Sequence, residues 1–543
     1  MADDATLKYF IKQNKNLLIT IIAVSLAIKL LFFFVFLQYN PCMLLFDSGH
    51  YHNAALQLAA GNGFSGADGA PYFYRLPGYP AFLAMCYAVC GNAPHIALLI
   101  QIIVSSCIPV LSALLALTLF PQARLLALLV AAMTAVHPGF VTMSGLMMSE
   151  TLFVIFFLIY LVLFLPAVLY DRRQCGAMLL AGSALGIASL TRPVGLPLVL
   201  VSVVLLVIRY FYGARILPLR DGFSSLLRVS AHGEELRSSV SNHVTSSGRA
   251  PKEVSLKARE ELSHFKIFFL FAHSTRLPKQ LTSARGEEAV GRLEPYGRLK
   301  RQSIIFILGW LAIIGPWLVR NWLLTGVWFL HTLGGPHAIN HGAARVYMQA
   351  HTISYLDAQR IIKDNLQVQY KDAAALQAKP LQEIERSTIA EKYVLSVCLQ
   401  YPYQTIKLCI NNMLKTVFGL YSSELLFIDS GGQLPPYDAQ RGIGAVLKRF
   451  LLPTLTQPWL IIIMYADMLM HLFLLFGFIG YCVLACAGRK GLVPLGIALV
   501  YGTLFVGLSC ICGFARLRLP IEPFLITLSL AFWIMLIQRI EES

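Results

Sequence analysis

Apolar residues run along this chain in long unbroken blocks, and polar residues gather in the gaps between them. Blocks at 17–37, 95–120, 125–142, 150–170, 176–190, 194–212, 303–320, 461–487, 492–511 and 520–537 approach the roughly 20 residues a helix needs to cross a hydrocarbon core. The apolar positions are continuous and do not alternate, so they predict helices and not barrel strands. The expected fold class is all-α: a polytopic transmembrane helix bundle of about ten spans with a large outer-side loop region. No internal repeat is evident.

Lys8, Lys12 and Lys15 precede the first block, which the positive-inside rule places with a cytoplasmic N-terminus. That block lacks a small-residue cleavage site and reads as a signal anchor. Alternation then gives an N-terminal transmembrane module with the first outer loop (1–212) and a basic cytoplasmic insertion (213–301). One span (302–323), an outer, periplasmic region (324–458) and the C-terminal spans (459–543) follow, with both termini inside. Composition agrees: 57% of the chain is hydrophobic and 13% charged, against about 25% charged in soluble domains. Membrane lipids are therefore the first partner. The net charge of +16 sits between apolar blocks, where it orients spans, and no nucleic acid is expected. Most of the eleven cysteines, such as Cys107, Cys482 and Cys486, fall in apolar blocks and read as small buried hydrophobes.

Residues with chemistry gather on the outer side. Asp47 lies just beyond the first block, at the start of an amphipathic helix, where a lipid-linked headgroup would sit. It is also the natural N-cap of that helix. Arg75, Arg192, Arg320, Arg516 and Arg518 all fall at outer ends of spans, against the positive-inside bias. Each alone could be a snorkelling side chain; five together suit an anionic lipid phosphate, which arginine grips with a forked cation. Glu150 opens a span, where it would either complement the helix dipole or join the site. His337 and His341 have helical spacing that could hold a divalent metal, as could Asp47 with His50 and His52. No cofactor is required by the pattern. Tyr74, with Tyr72, Phe73, Trp322 and Trp328, reads as an interface anchor or a wall beside a sugar. Within the spans, Lys29 and Asp467 lie at matched depth with opposite charge and are expected to pair, with His471 as a second partner.

The first outer loop reads Asp47-Ser-Gly-His-Tyr51 through Ala55, Leu58, Gly61, Gly63, Phe64 and Ser65. It continues as Arg75-Leu-Pro77-Gly78-Tyr79-Pro80-Ala-Phe-Leu-Ala. Further stretches follow in order: Ser149-Glu150-Thr-Leu-Phe, Ala188-Ser-Leu-Thr-Arg192-Pro193, Gly315-Pro-Trp317-Leu-Val-Arg320-Asn321 and Arg516-Leu-Arg518-Leu-Pro520-Ile-Glu522-Pro523. Together they resemble the GT-C superfamily, in the branch of bacterial relatives of protein O-mannosyltransferases and aminoarabinose transferases. The resemblance covers nearly the whole chain apart from the inner insertion. One position departs: Ser48 follows Asp47, where many members carry a second acidic residue. The resemblance implies an inverting glycosyltransferase that takes sugar from a polyprenyl-phosphate donor. Asp47 would be the base on the acceptor hydroxyl, and Arg75 would face the donor phosphate. Arg192, Arg516 and Arg518 join it as candidate phosphate ligands; Glu150, Arg320, His337 and Tyr74 are further site candidates. The acceptor is a glycan, a lipid or a protein. The expected setting is the inner (plasma) membrane of a bacterium, with the site on the periplasmic side. The main rival is a transporter or flippase of lipid-linked sugars, which predicts repeats and broken helices at the midplane; a non-catalytic scaffold is the second.

Overall fold

The computed structural model describes residues 4–37, 47–170, 175–216, 285–330, 338–374, 379–423, 460–488, 491–510 and 512–542. Contacts divide the chain into two units, Met1–Leu227 with Leu299–Ser543, and Arg228–Arg298. The site lies wholly within the first. Most of the inner insertion, and His337, fall outside the described residues.

The described residues are almost entirely helical, and their one bridge joins Ser65 to Pro71. The helices used below are α1 Lys15–Phe32, α2 Ser48–Ala59, α3 Gly78–Cys90, α4 Pro94–Ser105, α5 Ile108–Leu119, α6 Arg124–Val136 and α7 Pro138–Ser144. They continue as α8 Glu150–Tyr170, α9 Cys175–Thr191, α10 Leu198–Ile216, α11 Arg285–Thr325, α12 Ala344–His351, α13 Tyr355–Ala374 and α14 Lys379–Gln400. The last are α15 Pro402–Phe418, α16 Leu460–Gly488, α17 Leu492–Leu508 and α18 Glu522–Glu542.

Seven described spans are long and apolar enough to cross a membrane, or eight if the bent pair α6–α7 counts as one. The sequence suggested about ten. The difference lies in α9 and α17, apolar helices of 17 residues each, which at 1.5 Å per residue reach about 26 Å against a core of about 30 Å. The α6–α7 bend of 49° falls at His137-Pro138. Proline drives the preceding residue out of the helical region, and His137 is extended at ψ 123°, its Nδ1 accepting from the Gly139 N–H at 3.2 Å.

α8 forms the axis, packed by α5, α9 and α10. It is rich in leucine, phenylalanine, isoleucine and valine and is buried on nearly every side. Spans 15–35, 193–211, 301–325 and 461–488 keep most of their apolar surface outward, which only lipid can cover without a large hydration cost. Close backbone approach replaces hydrophobic sorting in such a bundle. A Cβ on Gly182 of α9 would fall 2.0 Å from the Phe306 carbonyl oxygen of α11, and one on Gly309 of α11 would fall 2.3 Å from that of Leu179.

Helices α12–α15 form a polar helical module with its own small core of Ala344, Val346, Ile362, Leu366, Val397 and Leu408. Its final helix is buried end-on, which leaves C-terminal carbonyls in need of donors. Arg518 supplies them: Nη1 donates to the carbonyls of Thr416 (2.8 Å), Val417 and Gly419 (3.1 Å). Asp467 accepts from the Ser422 N–H at 2.8 Å. Lys29, for its part, donates to the Ser105 carbonyl at 2.9 Å and hydroxyl at 3.0 Å. The expected Lys29–Asp467 pair is therefore corrected: shared depth does not make neighbours, and each charge is met by a local partner.

Candidate functional site

The loop from Asp47 to Pro77 begins with α2. Asp47 holds the N-cap position, yet its side chain makes no cap hydrogen bond. It turns instead to Arg75, whose Nη2 lies 2.5 Å from Oδ1. Between them the chain reverses through Gly61 and Gly63, both at positive φ, where a side chain would be strained. The Tyr72 N–H then closes onto the Phe64 carbonyl at 3.1 Å. Arg320 clamps this reversal from α11. Its Nη2 donates to the Phe64 carbonyl at 2.8 Å, and its guanidinium packs on the rings of Phe64, Phe73 and Trp317.

A second cluster lies deeper. Glu150, the first residue of α8, is buried, and its Oε1 meets Arg192 at 2.5 Å and Arg516 at 3.6 Å. Arg192 follows the end of α9, and Arg516 lies in the 3-10 turn Ala515–Ile521 that leads into α18. Glu150 Oε2 is buried without a hydrogen-bond partner, as is Arg75 Nε.

Tyr51 joins the two clusters. It sits one turn along α2 from Asp47, is buried, and its hydroxyl is 3.2 Å from Ser149 Oγ. The Arg75 guanidinium lies 5.8 Å from its ring centre. Burial pushes the phenol above its ordinary value, and it feels Arg75, Asp47, Glu150 and Arg192 together. The hydroxyl therefore stays protonated. Tyr79 packs edge-on to Tyr51 at 5.0 Å and donates to Gln101 Oε1 at 2.8 Å; Gln101 in turn donates to the carbonyls of Ser144 and Leu146. The main chain sets the spacing of the clusters. A Cβ on Gly78 would lie 2.8 Å from the Leu190 carbonyl carbon and oxygen and 2.9 Å from the Thr191 nitrogen. Only glycine lets the Arg75 segment lie against the end of α9 that carries Arg192.

The structure thus brings Asp47, Arg75, Glu150 and Arg192 around one tyrosine, with Arg516 joined to the cluster through Glu150. It does not bring Arg518 there. Arg518 is buried, and its Nε is 2.5 Å from Glu522 Oε1, with Tyr421 donating to the same oxygen at 2.9 Å and His137 Nε2 3.7 Å from Oε2. Arg320 braces the loop from the other side. Tyr74 lies partly exposed beside Tyr72, close enough to feel Glu383 and Arg386 of α14. His50 Nδ1 is 3.0 Å from the Tyr72 hydroxyl and His52 Nδ1 2.9 Å from that of Tyr87. Among the described residues no group of three acidic, histidine or cysteine side chains is placed to hold a metal ion. Tyr51 was missed as a site residue, although its place four residues after Asp47 puts it on the same helix face. Gly78 gave no signal beyond its motif.

The fold is an all-α polytopic helix bundle with a charged site at its helix ends. Within the chain, residues 89–221 match the family model of dolichyl-phosphate-mannose-protein mannosyltransferase, a GT-C family that uses polyprenyl-phosphate sugar donors. The matched stretch carries Glu150 and Arg192 but begins after Arg75 and ends before Arg516. No curated protein and no solved structure matches the chain.

Proposed function

We propose that the chain is an inverting glycosyltransferase acting on the outer face of a bacterial plasma membrane. Its donor is a polyprenyl-phosphate sugar and its acceptor a hydroxyl group of a glycan, lipid or protein. The observation that supports this best is a set of three arginines, Arg75, Arg192 and Arg516, ion-paired to two carboxylates, the partly exposed Asp47 and the buried Glu150. In the resting site Asp47 neutralises Arg75, and Glu150 neutralises part of Arg192 and Arg516. A lipid phosphate entering between them competes for the guanidiniums, which fit its oxygens. Arg75 then shifts its contact to phosphate, and Asp47 is left open to the acceptor. The acceptor oxygen attacks the anomeric carbon, the bond to phosphate oxygen breaks, and Asp47 takes the acceptor proton. The arginines stabilise the leaving polyprenyl phosphate, whose charge grows as the bond breaks. The Tyr51 hydroxyl, held by Ser149, fixes the distance between base and cations.

Arg518 is read as a positioning residue for the chain around 416–422, and Arg320 as a brace for the first loop. Polyprenyl-phosphate mannose is the first donor to try. Purified protein in nanodiscs should release polyprenyl phosphate from it in the presence of a suitable acceptor, and Arg75→Ala should abolish the release. The bend at His137-Pro138 lends the flippase reading one feature it requires. That reading predicts movement of intact lipid-linked sugar with no glycosidic bond broken, so absence of released polyprenyl phosphate with every acceptor class would favour it.

A further inference from the structure

Helix α15 is built inside out. Tyr403, Ile406, Ile410, Leu414 and Phe418 recur at helical spacing and all face outward, from 48% exposed at Leu414 to 72% at Tyr403. At about 100° per residue they share an arc of about 120°. Leu408, Asn412 and Thr416 lie on the opposite side and are buried. A helix whose outer face meets water shows the reverse, with charged and polar residues out. Leu395 and Leu399, near the end of α14, are exposed as well. The remaining exposed positions of α15 are Pro402 and Lys407. The helix carries Lys407 and Lys415 and no acidic residue. Its buried side is fixed to the bundle. Asn412 Nδ2 donates to the Cys510 carbonyl at 2.8 Å, and a Cβ on Gly513 would fall 2.6 Å from the Asn412 carbonyl oxygen. α15 thus packs beside α17, whose last residue, Leu508, is itself exposed and leads into the segment that carries Arg516.

We propose that the outward face of α15 lies in the plane of the membrane, in the leaflet on the side of the charged site. Phospholipid acyl chains cover the apolar row and an anionic headgroup sits on Lys407. Three observations single out lipid as the occupant. The chain already turns apolar span surface outward to acyl chains, and α15 continues that surface beside the end of α17. The 17 residues of α17 reach ~26 Å in a core of about 30 Å. Its end therefore stops inside the hydrocarbon boundary, the level at which an amphipathic helix settles roughly 5–10 Å deep. Finally, a cationic helix without acidic residues suits anionic headgroups. Lys407 is exposed beside Ile406, and its stem can lie along the apolar row while its ammonium rises to phosphate. α15 does not itself cross: its 17 residues include Lys407, Asn411, Asn412 and Lys415, and a crossing needs about 20 predominantly apolar residues. Held this way, α15 sets the height of the helical module above the lipid, and through Asn412 that of the loop leading to Arg516. The docking depends on the spans crossing a membrane and not on the transfer reaction, so either can fail without the other.

The test uses full-length protein in nanodiscs of phosphatidylethanolamine and phosphatidylglycerol. A diazirine amino acid is installed at Ile410 or Leu414 by stop-codon suppression, and for comparison at Asp364, an exposed polar position of α13. Light converts the diazirine to a carbene that inserts into whatever touches it, water included. Mass spectrometry of the digested protein should find phospholipid adducts at 410 and 414 and water addition at 364. Water addition at 410 and 414 to the extent seen at 364 overturns the proposal. So does a cross-link to a second copy of the chain, or to residues 424–459 of the same chain. Adducts at 410 should be enriched a few-fold in phosphatidylglycerol over the bulk ratio, as one lysine near an anionic surface provides. That enrichment should be lost in Lys407→Gln; equal ratios in both overturn the headgroup contact. Unmodified protein supplies a second measurement should the labelled variants fail to fold. Tyr403, the most exposed member of the row, should resist hydroxyl-radical oxidation in nanodiscs, and oxidation at the rate of a free tyrosine peptide overturns the docking.

Discussion

Replacing Asp47 with asparagine changes one chemical property and little else. The side chains are nearly isosteric, the amide oxygen can still accept from Arg75 Nη2, and asparagine is as good at an N-cap position as aspartate. The Asp47 side chain is 31% exposed, and ion pairs in such settings contribute at most about 1 kcal/mol. Asp47→Asn should therefore melt close to wild type. What disappears is the carboxylate proposed to take the acceptor proton. General-base help is worth about 10²–10⁴-fold, which at about 1.4 kcal/mol per tenfold adds ~3–5 kcal/mol to the barrier. The assay is single-turnover transfer of radiolabelled sugar from a polyprenyl-phosphate donor in nanodiscs, with released polyprenyl phosphate counted separately. On the proposed mechanism the loss should appear in kcat, while donor KM should hold or fall, because the charge that competes with the donor phosphate for Arg75 is gone. A folded Asp47→Asn protein that keeps kcat within about tenfold of wild type would refute the assignment of Asp47 as base.

Other expectations follow from the same geometry. Glu150→Gln leaves Arg192 and Arg516 without their buried counter-charge, a state that costs about 3–5 kcal/mol when a buried pair is broken; its melting temperature should fall, and added polyprenyl phosphate should restore part of it. Arg518→Met strands Glu522 and three helix carbonyls, so it should destabilise by about the same amount, whereas Arg518→Met combined with Glu522→Gln should cost less than the sum in a double-mutant cycle. Gly78→Ala forces a methyl group against the Leu190 peptide and should lower kcat by about 10²-fold through misplacement of Arg75, read in the same transfer assay. Burial first, then Arg75, holds His50 below its ordinary 6.5, with Asp47 opposing. The unfolded chain therefore takes up a proton near pH 6.5 that the folded chain refuses until lower pH. Stability should fall as pH drops through that window, and thermal melts of His50→Gln should show a flatter profile.

The pattern of apolar blocks carried the fold class, because lipid leaves a helix no way to hide a polar stretch and so writes each span into composition. Asp47, Arg75, Glu150 and Arg192 were legible as candidates because ordered motifs and an unusual charge placement single them out. What the chain could not disclose was the rotation of each helix about its axis. Lys29 and Asp467 share a depth, yet one faces Ser105 and the other Ser422. Arg518, two residues from Arg516, turns instead to the end of α15 because a buried helix terminus there lacks donors.

The contact at Gly78 has a bearing on how such a site could diversify. The atoms nearest a Cβ built on this glycine belong to the main chain of Leu190 and Thr191, so exchanging those two side chains leaves this contact in place. The interval between Arg75 and Arg192 is thereby insulated from drift in the residues around it. Under the proposed function, sugar preference and acceptor choice would be rewritten through the first loop and the helical module while the spacing of the arginines offered to a lipid phosphate is kept. A designer wishing to alter what is transferred would leave Arg75-Leu-Pro-Gly78 untouched and vary the aromatic residues from Tyr72 to Tyr74.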